Sequence, residues 1–124
     1  MPKTMHATAI SLIVLAAMVA MSASAEAGCT PSTGSSFGGN TCIGDRALVS
    51  NTDLGFSNTA IGVNALQANK DGSSNTASGV SVLFANVSGH YNTGNGIFAL
   101  LGNISGDSNT AIGASALAKN TIGN

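Results

Sequence analysis

The chain has 124 residues, of which only 7% are charged, with four Lys or Arg against five Asp or Glu. That balance provides no basic stripe to neutralise nucleic-acid phosphates and no polybasic patch for an anionic membrane surface. Aromatic residues make up 4% and Trp is absent, which excludes an ordinary closed core built from large rings.

Residues 1–25 read as a secretory signal peptide. Lys3 supplies a positive start, Ala9 to Met21 form an apolar stretch, and cleavage is expected after Ala25 or Ala27. The apolar run is too short and too Ala-rich for a retained span, which needs about 20 apolar residues. No stable membrane span is therefore expected. The mature chain is expected to be secreted or held at the cell surface. Gly28-Cys29 superficially suits a lipoprotein site, but Glu26 stands where an aliphatic residue is wanted, so lipidation is the lesser reading.

Residues 26–36 form a short leader, and the chain's two cysteines lie at this edge. In an oxidising compartment Cys29 and Cys42 most simply form a disulfide that ties the leader, as a cap, to the first repeat. Such a bridge stabilises by roughly 3 kcal/mol in the chain-entropy model. Two cysteines with no further Cys or His nearby cannot complete a tetrahedral zinc site.

From residue 37 to residue 124 one pattern recurs: G-x-x-N-T-x-x-G-x-x-A-L-x-x-N-x-x. The copies align on Asn40, Asn58, Asn75, Asn92 and Asn109, each followed by Thr. Gly44, Gly62, Gly79, Gly96 and Gly113 form a second column, and Leu48, Leu66, Leu83, Leu100 and Leu117 a third. Asn51, Asn69, Asn86, Asn103 and Asn120 form another, and Gly55, Gly72, Gly89 and Gly106 open successive copies.

A short strict repeat cannot close a core alone, so each copy must stack on its neighbours. Seventeen residues are too few for a helix pair, and two Gly and two Asn per unit oppose helix. The expected fold is all-β: a parallel β-solenoid, or β-roll, of about five coils. Each coil is expected to hold two strands, one N-T-A-I and one around A-L, as in Val63 to Ala68. Strand alternation then places Thr59 and Ile61 on one face and Ala60 on the other. The Thr/Ile face is expected inward, making Ile43, Ile61 and Ile112 a core column opposite the Leu column. Gly, together with the Asn columns, is expected to occupy turns of positive φ. Register also brings identical Asn residues about 4.8 Å apart, close enough for amide ladders along the axis.

The string N-T-A-I-G-x-x-A-L-x-x-N, at Asn58 to Asn69 and Asn109 to Asn120, resembles repeats of bacterial secreted and surface proteins. It is similar to the head repeats of trimeric autotransporter adhesins, and the likeness covers residues 37–124. The resemblance implies a trimeric, extracellular, adhesive or structural role. The unit is longer than a typical adhesin head repeat and no coiled-coil stalk or membrane anchor follows, so autotransport by this chain is not expected.

No residue set calls for an enzyme or a cofactor. His90 is the one mature histidine and is expected in an exposed loop, since a lone His among many serines does not make a triad. Asp recurs in no fixed column, against a calcium roll, and Gly94-Asn95-Gly96 lacks the Lys of a phosphate loop. Gly94 and Asn95 break the pattern where Ala and Ile are expected. Repeat drift with compensatory packing accounts for this, with Ile97, Phe98, Leu101 and Ile104 adding bulk elsewhere. A sharper reading joins His90, Tyr91 and Phe98 in a contact patch. Asn86-Val87-Ser88 and Asn103-Ile104-Ser105 match a glycosylation sequon, but the Asn column already explains both.

Function is expected to lie in a repetitive surface. The leading expectation is a secreted structural or adhesive module, self-associating as a trimer or end to end. Its ligands would be host, matrix or cell-surface molecules, not nucleic acid. An ice- or crystal-surface-binding solenoid is the alternative, disfavoured by an inward Thr column and by one recurring Thr per strand in place of a T-x-T pair.

Overall fold

The computed structural model describes residues 38–124. The expected signal peptide at residues 1–25, the expected leader at 26–36 and Cys29 lie outside the described residues. Five three-residue strands follow one another: β1 Thr41–Ile43, β2 Thr59–Ile61, β3 Thr76–Ser78, β4 Thr93–Asn95 and β5 Thr110–Ile112. They form one parallel sheet in the order β1-β2-β3-β4-β5. Register is like-on-like, with Thr59 opposite Thr76 and Ala60 opposite Ala77. The chain is a β-solenoid whose coils advance by one repeat, as the spacing of the Asn column requires.

Only one strand forms per coil. The expected second strand, Val63 to Ala68, is a series of turns. Its backbone nonetheless bonds to the adjacent coil. Leu48, Leu66, Leu83 and Leu100 donate their N–H groups to Ala65, Val82, Ala99 and Ala116 carbonyls at 2.9–3.0 Å. Cohesion between coils therefore runs around the whole perimeter, although one wall alone has extended geometry.

The physical reason lies in the dihedrals. Leu48, Leu66, Leu83, Leu100 and Leu117 all sit at φ between 49° and 52°. Left-handed geometry costs a side chain with Cβ roughly 1–2 kcal/mol. Leu66, Leu83 and Leu100 are wholly buried, and burying a Leu stabilises by about 1.5–3 kcal/mol, which offsets that cost. A left-handed residue two positions earlier, as at Asn64 and Ser81, and a further one at Ser57, Ser74, Tyr91 and Ser108 turn the remaining corners. The positive-φ duty expected of the Asn columns thus falls to Leu, Ser and their equivalents, and no column Asn has φ above zero.

Facing is the reverse of expectation. Ala60 and Ala77 are fully buried, and Ala111 nearly so, whereas Ile43, Ile61 and Ile112 are 57%, 41% and 74% exposed. The Thr column lies outward beside them: Thr41, Thr76, Thr93 and Thr110 are exposed and Thr59 half-buried. The coil is too narrow to hold Ile on one wall and Leu on the other. With Leu filling the interior, only Ala, Cys42 or Gly94 fits opposite.

The irregular fourth coil shows the same limit. Gly94 takes the Ala position, and a Cβ there would strike Cγ1 of Val82, itself an enlargement of the Ala65 and Ala99 column. Compensation does occur, through Val82 of the preceding coil. The bulky Ile97, Phe98 and Ile104 are exposed and Leu101 is half-buried, so they do not fill the gap.

Candidate functional surface

Two amide ladders run beneath the surface. In the first, Nδ2 of Asn75, Asn92 and Asn109 donates to Oδ1 of the Asn one coil earlier, at 3.1, 3.2 and 3.1 Å. The same oxygens also accept the backbone N–H of Asn75, Asn92 and Asn109. In the second, Asn69, Asn86, Asn103 and Asn120 donate to Asn51, Asn69, Asn86 and Asn103 at 2.7–3.0 Å.

Shared carbonyls join the ladders. The Gly72 oxygen accepts from both Asn58 and Asn69, the Gly89 oxygen from Asn75 and Asn86, and the Gly106 oxygen from Asn92 and Asn103. This explains the Gly72, Gly89 and Gly106 column, where a Cβ would collide with an Asn amide and the next coil's backbone. Among the described residues no buried side-chain nitrogen or oxygen lacks a partner. The amides meet the requirement that a buried polar network be fully satisfied. Asn86 and Asn103 are completely buried, so neither sequon presents an acceptor nitrogen in the folded coil.

A third column has no motif in the sequence. Backbone N–H groups of Phe56, Ser73, His90 and Asp107 donate to the side chain one coil later: Ser73 Oγ, His90 Nδ1, Asp107 Oδ1 and Asn124 Oδ1. The residues differ, but every one accepts a hydrogen bond, which is the only signal the sequence carries. His90 is half-buried rather than an exposed loop residue, and its Nδ1 is engaged by Ser73 N–H at 3.1 Å.

The remaining candidate residues separate. His90 and Tyr91 rings lie 6.2 Å apart, and Tyr91 is 68% exposed. Tyr91 precedes β4 and Phe98 follows it, so the two border opposite ends of the strand. Cys42 occupies the inward Ala column and is half-buried; it is not a free thiol. No cluster of metal-ligating side chains occurs among the described residues, and no helix among them is long and apolar enough to cross a membrane.

The outer face of the sheet carries the Thr column and, two residues along each strand, Ile43, Ile61, Ser78, Asn95 and Ile112. None of the hydroxyls of Thr41, Thr59, Thr76, Thr93 and Thr110 makes a hydrogen bond among the described residues. No protein-family model, characterised protein or solved structure matches the chain.

Proposed function

We propose that this chain is an exported, non-enzymatic structural or adhesive module that acts through its repetitive lateral surface and self-associates. The observation that carries this reading is the in-register stacking, which sets Thr above Thr on the outer face at one-strand intervals along the coil. A surface of that kind offers many weak, identical contacts whose joint affinity far exceeds that of one.

The residues that chemistry would require are occupied in holding coils together. Nδ1 of His90 accepts a backbone N–H, and an Asp107 carboxylate oxygen accepts the His90 N–H. A hydrolase built on His90 would lose activity in His90→Ala, and we expect no activity to be lost. Export rests on the composition of residues 1–25, and a Cys29–Cys42 bridge accords with the absence of a free thiol at Cys42.

The test is direct: binding of the purified protein to cells and to matrix-coated surfaces, together with its mass in solution. Adhesion or an oligomer supports the reading. A monomer inert towards every surface tested contradicts it.

A further inference from the structure

Columns that are identical in every coil report what the fold or its function will not let vary. The two Asn columns are the buried ladders. The Gly44, Gly62, Gly79 and Gly96 column combines φ between 118° and 129° with close approach of the next coil's Gly backbone. Leu48, Leu66, Leu83 and Leu100 of the Leu column fill the core. The Thr column alone has no such explanation: it faces outward, and its hydroxyls are unbonded among the described residues.

Strand propensity does not supply the reason. Thr and Ile both favour strands, and the other outward strand position has the same backbone. Yet there the residue varies, with Ile43, Ile61 and Ile112 but Ser78 and Asn95 between them. A column that stays Thr beside one that drifts is held by something outside the coil.

The geometry constrains that partner. The hydroxyls and methyls are repeated at about 4.8 Å on a parallel sheet, and the first Asn ladder fixes the residue immediately before Thr59, Thr76, Thr93 and Thr110. They point the same way instead of converging, whereas a soluble small ligand is held in a concave site by convergent polar groups. The matching surface must itself be flat and periodic.

Charge narrows it further. The two outward strand columns hold Thr, Ile, Ser and Asn only, with no charged side chain. An ionic mineral lattice has no counter-charge to meet there. A neutral lattice of hydrogen-bonding groups does fit, met by hydroxyls that both donate and accept and by methyls that seat between them.

We infer that Thr41, Thr59, Thr76, Thr93 and Thr110 form the adhesive face and that its adherend is ice. The inference rests on the surface-acting role proposed above and names the face and partner of that role.

Thermal hysteresis and crystal shaping are to be measured on the purified full chain and on two doubly substituted variants of equal charge. Thr76→Lys/Thr93→Lys disrupts the face; Ser88→Lys/Ser105→Lys adds the same charge elsewhere. Far-UV circular dichroism verifies that each is folded, and the single Thr93→Lys replacement carries the comparison should the Thr pair not fold. The wild type and the Ser variant are expected to shape ice and depress its growth, and the Thr variant to lose both effects.

Absence of hysteresis in folded wild-type protein overturns the assignment, as does equal activity in the two variants. Capture of a neutral glycan through the Thr face without any effect on ice overturns it as well. A chain that adheres to cells or matrix but leaves ice growth unchanged refutes the ice assignment and leaves the surface role standing. One inert to ice, cells, matrix and itself removes both.

Discussion

Asparagine is the residue on which this coil depends, because its amide both donates and accepts along one axis. Asn86 shows the stakes: it donates to Asn69 and Gly89 and accepts from Asn103. Asn86→Ala removes three bonds and leaves Asn69 Oδ1 and Asn103 Nδ2 each short of a buried partner. The expected loss is about 3 kcal/mol in chemical denaturation, since stranded buried polar groups cost more than the bond itself returns. Asn86→Asp is expected to cost more, because a carboxylate cannot donate and its charge would be buried. The glycines allow a cleaner separation of two effects. Gly62 and Gly113 share φ of 129° and 122°, but a Cβ at Gly62 would collide with the Gly79 carbonyl whereas nothing lies within 4 Å at Gly113. Gly113→Ala is then expected to cost about 1–3 kcal/mol, the conformational share alone. Gly62→Ala adds an overpacking share of roughly 1–3 kcal/mol. Equal midpoints for the two variants would contradict the close coil-to-coil approach.

The strand and the turn wall divide the work of each coil unequally, and here the sequence is a partial guide. The repeat period, the parallel stacking and both Asn ladders were legible, because like residues at a fixed interval have to become vertical neighbours. The facing of N-T-A-I was not. Alternation states that Thr59 and Ile61 share a face but not which one, and hydrophobicity favoured burying Ile. Core width decided otherwise: Leu83 enters from a left-handed corner and leaves room only for a methyl opposite. Nor does composition disclose that Leu would adopt positive φ, a geometry usually reserved for Gly or Asn. The acceptor column leaves no repeat signature because Ser73, His90, Asp107 and Asn124 have one property in common and no letter. The width limit can be checked through the Val82 and Gly94 pair. Gly94→Ala should destabilise by about 1–3 kcal/mol through overpacking, and Val82→Ala in the same chain should restore part of it. A double-mutant cycle reads the coupling, expected at roughly 1 kcal/mol or more for side chains in contact. Additivity would mean that the two positions do not meet across the core.

At the scale of the molecule the solenoid has little hydrophobic substance, and its cohesion is distributed coil by coil. Leu66, Leu83, Leu100 and Val82 are the largest apolar side chains fully buried. Leu83→Ala is accordingly expected to cost about 2–5 kcal/mol and to open the coils on either side before the rest, because each repeat leans only on its neighbours. Hydrogen exchange of backbone amides in β2, β3 and β4 would record that local opening. The many exposed apolar residues, among them Ile61, Val63, Val80 and Ile97, accord with the proposed self-association, which light scattering tests with and without reductant. The central claim, that identical residues lie directly above one another and bond through their amides, is most directly tested by nuclear magnetic resonance of the asparagine side chains. The Nδ2 protons of Asn75, Asn86, Asn92 and Asn103 are expected to exchange with water far more slowly than those of exposed Asn95. Exchange of all five at the rate of a free asparagine would contradict the stacked coil.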